Sequence, residues 1–290
     1  MKRHTLLIST LLISLFGIPS YAEAPVWKVS KNGHHVYLGG TFHMLAKSDY
    51  PLPKAFEKAY KDASTLLFET DIQALQSPKY QMQLMNAMTL RDGSTIKDKL
   101  SPKTFAKLQA FFDERNIPAA TFNYLTPTGV ALTIAVMEYQ RLGMNPESGV
   151  DQYYSNKAKA DGKSLDQLNT PEEQISFIAN LGKGQEDEMI MQTLSDIELL
   201  SSMLGDLKAA WRTGDLTTLN KDYLAPIQKE FPDAYQELFV DRNNSWLPKV
   251  LELLKDEDTE FVLVGAVHMA GEEGLIEQLK RSGCKIEQMQ

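Results

Sequence analysis

Two histidines in this chain share one local pattern. His43 closes Gly40-Thr41-Phe42-His43 and His268 closes Gly265-Ala266-Val267-His268, so each stands three positions after a glycine and just beyond an apolar stretch. Glycine lets the backbone turn tightly without a Cβ clash, and an imidazole nitrogen is a donor that borderline divalent metals prefer. Glu69 ends a third apolar stretch, Leu66-Leu67-Phe68. A carboxylate buried there alone would be costly, whereas with the two histidines it completes a two-His, one-carboxylate set for a Mn, Co or Zn ion. Such an ion polarises a carbonyl and lowers the pKa of bound water, with Glu69 acting either as a ligand or as the base.

Two further polar positions stand near this set in the reading. Asp71 lies two residues beyond Glu69, so on an extended strand both face the same side. It either ligates or orients water, or it caps a helix. Arg242, in Arg242-Asn243-Asn244-Ser245-Trp246, either points into the cleft, where a guanidinium stabilises developing oxyanion charge, or forms a surface salt bridge. Asn243 is read with it as a residue that holds the substrate. Ser245 or Asn244 is expected to cap the helix that carries Trp246, Val250, Leu251 and Leu254. His34 and His35 flank a turn and are left outside the site.

The elements that must position these groups follow from period and punctuation. Trp27–Val29 and His35–Leu38 alternate around Asn32-Gly33, a hairpin signal. A helix opens near Pro53, with Phe56, Ala59, Tyr60 and Ala63 at helical spacing, and leads to a buried strand at Thr65–Phe68. Residues 35–68 therefore read as a β-α-β unit with parallel strands. His43 and Glu69 then lie at the strands' carboxyl ends, where open α/β sheets place their ligands.

Between about residue 75 and 255 the pattern turns mostly helical. Ser101-Pro102 opens one helix, residues 128–142 form a largely buried one, and Thr170-Pro171-Glu172-Glu173 is a capping-box start. From Glu186 to Trp211, the residues Met189, Leu194, Ile197, Leu200, Met203 and Leu207 form a core stripe. A strand at Phe261–Val264, a helix over residues 273–281 ended by Gly283, and a last strand near Lys285–Glu287 close the chain. The fold class expected is α/β (α+β): a small mixed sheet covered by a large helical insertion, in one domain spanning 23–290.

Composition narrows the partners. The chain has 30 Lys and Arg against 38 Asp and Glu, a formal net charge of −8, which disfavours nucleic acid and anionic lipid surfaces. A peptide or protein substrate remains open. Lys2 and Arg3, the apolar Leu6–Phe16 and Ser20-Tyr21-Ala22 read as a secretory signal cut after Ala22, which predicts a periplasmic or secreted protein without membrane insertion afterwards. Cys284 is the only cysteine, so no intramolecular disulfide forms, and it reads as a small buried strand residue.

The ordered segments Leu38-Gly39-Gly40-Thr41-Phe42-His43, Phe68-Glu69-Thr70-Asp71, Gly149-Val150-Asp151, Arg242-Asn243 with Trp246, and Val264-Gly265-Ala266-Val267-His268 resemble the TraB/GumN family. That family is similar to the Tiki metalloproteases. The resemblance implies a divalent-metal-dependent hydrolase, a peptidase, using His43, Glu69 and His268. One departure stands out: relatives commonly carry Leu-Glu-Thr where this chain has Leu168-Asn169-Thr170, so a carboxylate is replaced by an amide. Two other classes compete, a haem- or iron-binding protein and a non-catalytic envelope-polysaccharide accessory.

Overall fold

A two-residue turn starts the fold. Asn32 and Gly33 both take positive φ, 53° and 93°, as a type I′ hairpin requires, and they join β1 (Val26–Lys31) to β2 (His34–Thr41). The computed structural model describes residues 23–290; the expected signal segment and its cleavage point lie outside the described residues. From β2 the chain passes through α1 (Lys54–Asp62) into β3 (Thr65–Thr70), as the β-α-β reading expects. The remaining strands are β4 (Ser164–Asn169), β5 (Glu260–Gly265) and β6 (Lys285–Gln288).

These make one six-stranded mixed sheet of order β4-β3-β5-β2-β1-β6. The four strands β2, β5, β3 and β4 run parallel, while β1 is antiparallel to both β2 and β6. The strand at Phe261–Val264 therefore inserts between β2 and β3, which are parallel but not neighbours. β4 is a strand within the mostly helical region, one that the pattern did not mark. It interrupts that region at the sheet's edge, and its sequence Ser-Leu-Asp-Gln-Leu-Asn hides it, because an edge strand with its first three residues exposed lacks the apolar run of a central strand.

Both faces of the sheet are covered. Along β5, Phe261 and Leu263 face one core with Phe56, Tyr154 and Trp211, while Val262 and Val264 face the other with Trp246, Leu275 and Leu279. A third core, separate from the sheet, joins α2 (Pro102–Glu114), α3 (Pro127–Arg141) and the first half of α6 (Glu186–Thr213). Between α3 and α6 lie α4 (Val150–Asp161) and α5 (Pro171–Asn180), the latter opened by the Thr170/Glu173 capping box. The long α6 spans two environments. Leu194 and Ile197 are buried as expected, but Met203 is 37% exposed and Leu204 is buried in its place, because the helix leaves the third core there and reaches the sheet with Ala210 and Trp211. No helix among the described residues is long and apolar enough to cross a membrane.

A buried charge lies beside this third core. Glu138 of α3 is 3% exposed and accepts from Arg115 Nε at 2.7 Å and Arg141 Nε at 2.8 Å. Burial raises its carboxyl pKa, and the two arginines outweigh that and leave it below the ordinary value. A carboxyl whose folded pKa lies below its unfolded one stabilises the fold above the unfolded value and loses that contribution as pH falls through the folded one. Glu138→Gln is therefore expected to cost about 1–3 kcal/mol at pH 7 and less at about pH 4. Urea unfolding at both pH values measures this; an equal penalty at the two would show that charge is not its source.

Candidate functional site

The site forms where three parallel strands end. β2 runs into His43, β3 carries Glu69 and β5 ends in Gly265, which leads through one helical turn, Ala266–Met269, to His268. All three groups gather around Gly265. A Cβ built there would meet Glu69 Oε1 at 3.3 Å, His43 Nε2 at 3.4 Å and His268 Cδ2 at 3.6 Å, so any larger residue would intrude on the cleft. The same glycine donates its backbone N–H to Glu69 Oε1 at 2.6 Å.

Each histidine is held by its second nitrogen. His43 Nδ1 lies 2.8 Å from Asp151 Oδ2, and because a carboxylate only accepts, Nδ1 carries the proton and Nε2 faces the cleft. Asp151 is set by α4, whose first N–H, that of Val150, donates to the Phe42 carbonyl at 3.0 Å. Gly149 makes that approach feasible: a Cβ there would sit 2.2 Å from the His43 carbonyl oxygen. His268 Nδ1 lies 2.8 Å from Asn243 Oδ1, while Asn243 Nδ2 donates to the carbonyls of His268 and Glu273. The amide orientation is thereby settled, and His268 presents an unprotonated Nε2. Trp246 and Phe239 pack on the His268 ring with centroids at 4.6 and 5.3 Å.

Arg242 and Asn243 both open α7 (Arg242–Leu253), and both are buried. Arg242 is neither a surface ion pair nor free in the cleft. Its Nη2 donates to Glu69 Oε2 at 2.6 Å, its Nη1 lies 3.5 Å from His268 Nε2, and its guanidinium stacks 4.5 Å from the Trp246 ring. Asn243 is spent on His268 and Glu273 rather than facing a substrate. Ser245 and Asn244 do not cap: helical turns lead into α7 from residue 236, and the Ser245 hydroxyl donates back to the Arg242 carbonyl.

Electrostatics separates the two histidines. The Asp151 carboxylate raises the His43 imidazole pKa, against the desolvation of the cleft, to about 9. Burial pushes His268 down to about 3. Burial also works to raise Glu69, but Arg242, the two histidines and the Gly265 N–H outweigh it and bring the carboxyl to about 2. Glu69 is thus ionised, as ligation requires.

Other expected members fall elsewhere. The strand ends at Thr70, and Asp71 caps a short helix, Ile72–Leu75, by accepting from the Ala74 N–H at 2.8 Å. His34 and His35 flank the β1–β2 turn, away from the cleft. Cys284 is buried but precedes β6 instead of lying in it. Asn169, at the end of β4, is one layer out: its Oδ1 accepts from the Trp246 indole N–H at 2.6 Å and its Nδ2 donates to Glu173. Asp151 and Gln174, which accepts from Arg242 at 3.3 Å, carry roles that spacing alone did not assign. The triplet Gly149-Val150-Asp151 was the available signal for the first.

The donor set fits a divalent ion in its chemistry: two imidazole Nε2 atoms presented by fixed Nδ1 partners, beside an ionised carboxylate. Its spacing is wider than a closed set. Among the described residues, the one trio of His, Cys, Asp or Glu ligand atoms lying mutually within 4.8 Å is at the other end of β5, formed by Asp256, Asp258 and Glu260. In the cleft the Arg242 guanidinium reaches both Glu69 and His268.

Residues 25–288 match the profile of the TraB/PrgY/gumN family. The chain is similar to the uncharacterized protein YbaP of Escherichia coli (strain K12), 25% identical over 251 residues that cover 85% of this chain and 88% of that protein. The YbaP of Shigella flexneri gives the same identity and coverage. No solved structure matches significantly. Both Gly-x-x-His segments, Glu69, Asp151 and Arg242 lie inside the matched span and meet in one cleft, and the chain belongs to the TraB/PrgY/gumN family.

Proposed function

We propose that this protein is an exported divalent-metal-dependent hydrolase, most consistent with a peptidase. The observation that carries the reading is the gathering of His43 Nε2, His268 and Glu69 around Gly265, with Asp151 and Asn243 holding each imidazole by its other nitrogen. His43, His268 and Glu69 would hold the ion, which when bound supplies a Lewis acid and a water of lowered pKa. Asp151 and Asn243 keep the ring tautomers that leave Nε2 for ligation. Arg242 supplies a fixed positive charge on the cleft floor, suited to oxyanion charge developing on an attacked carbonyl. An ion bound by Glu69 would compete with that guanidinium for the carboxylate.

An apolar cavity of about 330 Å³ opens beside His43, lined by Phe42, Met44, Trp211, Tyr223 and Val267 among others. It suits an apolar side chain of a peptide next to the scissile bond. Export rests on the N-terminal residues 1–22 alone. The metal is Mn, Co or Zn by donor type.

Elemental analysis after identical reconstitution in Mn, Co and Zn tests the centre. Wild type should retain close to one ion per chain, and His43→Ala and His268→Ala should each lose it together with chelator-sensitive peptide hydrolysis. Near-stoichiometric metal in both folded variants would sink the two-histidine centre. Asp151→Asn should weaken metal affinity by about 10–100-fold while the fold persists; unchanged affinity would remove Asp151 from the site.

Asn169 has a different expected effect. Asn169→Ala leaves the buried Trp246 indole N–H without its acceptor, at a cost of about 1–3 kcal/mol in urea unfolding. Metal content should fall far less than in the histidine variants. A full loss of metal with stability intact would instead make Asn169 a member of the centre.

A further inference from the structure

We propose that the loop entering β5 holds a second, separate cation site, in which Asp256, Asp258 and Glu260 bind calcium. The three residues alternate along the chain, and one carboxylate oxygen from each lies within 4.8 Å of the others. Asp256 and Asp258 are exposed, and the loop between them is shaped by the Asp258 N–H donating to Asp256 Oδ1 at 3.1 Å. The following residue is anchored beside the start of β3 by Ser64, whose N–H donates to the Thr259 carbonyl at 2.8 Å.

Glu260 is the independent observation. It is only 6% exposed, in a strand paired on both sides, and its Oε2 is buried with no hydrogen-bond partner. Among the described residues none of the three carboxylates forms a salt bridge: neighbouring Lys255 pairs with Glu252 instead. Buried carboxylates are ordinarily paired, hydrogen-bonded or bound to a cation.

An all-oxygen set is hard, so it selects calcium or magnesium over the metals that imidazole prefers. One rigid buried carboxylate and two exposed ones on a short loop suit the variable geometry of calcium better than the strict octahedron of magnesium. Waters would complete the shell, and with only three protein ligands the affinity expected is that of weak extracellular modules, about 10⁻⁴–10⁻³ M. The site lies at the opposite end of β5 from Gly265, and so apart from the His43 and His268 cleft.

The test is thermal unfolding of the full chain, stripped with EDTA and desalted, at pH 7.5. Calcium chloride at about 10 mM should raise Tm by a few degrees and saturate, magnesium should do less, and sodium chloride of equal ionic strength should do nothing. Asp258→Asn and Glu260→Gln should remove the calcium shift, while His43→Ala should keep it. Both acidic variants should also melt higher than wild type without calcium, since each removes a repelling charge. No calcium-specific shift in wild type, or the same shift in Asp258→Asn, would overturn the site and leave a trio that relieves its repulsion by sharing a proton. Loss of the shift in His43→Ala would place the calcium in the cleft and overturn the proposal equally. Asp258 is exposed, so that variant decides the question even if Glu260→Gln fails to fold.

Discussion

A buried ion pair, Arg242 with Glu69, ties the sheet to its helices at the point where chemistry is proposed. Neither side chain is more than one-tenth exposed, and their contact at 2.6 Å joins β3 to α7. The other Glu69 oxygen takes the Gly265 N–H, which joins β3 to β5. Bringing both ions out of water costs several kcal/mol each in effect, and the attraction offsets that only with good geometry and further hydrogen bonds. The guanidinium has part of that support in Gln174 and the Trp246 face, but its Nε is buried without a partner. The pair is therefore costly to hold, and removing one member would strand the other charge in the interior.

That constraint explains why so much of the surroundings is devoted to orientation. Trp246 stacks on both Arg242 and His268, and its indole N–H is held by Asn169 from the sheet's edge strand. Asn243, adjacent to Arg242 on the same helical turn, fixes His268 through Nδ1 and ties its own amide to two backbone carbonyls. One turn of α7 thus positions the charge partner of Glu69 and the ring of His268 together. A rotation of that helix would misplace both.

The parts of this arrangement that were legible in the sequence are those carried by short segments with strong punctuation. The Asn32-Gly33 turn, the apolar runs of β3 and β5, and the two Gly-x-x-His endings each declare themselves within a few residues, and parallel strands bring their carboxyl ends together without further information. β4 could not be read the same way, because an edge strand with one exposed side carries polar residues and no period that separates it from loop. Asp151 meets His43 across 108 residues of chain, and Arg242 meets Glu69 across 173. Contacts of that separation depend on packing that no local pattern encodes. Asp71 shows the converse: alternation with Glu69 held only as far as the strand did, and the strand ended one residue too soon.

The same Gly-x-x-His spacing yields two unlike histidines because the second partner of each ring lies outside the motif. His43 stands on the open side of the cleft with a carboxylate at Nδ1, so its environment favours the imidazolium. His268 is enclosed by Trp246, Phe239 and Arg242 with a neutral amide at Nδ1, so its environment favours the neutral ring. Neither glycine takes a positive φ; in both segments it permits a close approach, of Ala266 to Gly40 and of Glu69 and His43 to Gly265, but what each imidazole can do is decided by α4 in one case and α7 in the other. The motif places the nitrogens at the cleft; the helical subregion and the last third of the chain give them their chemistry.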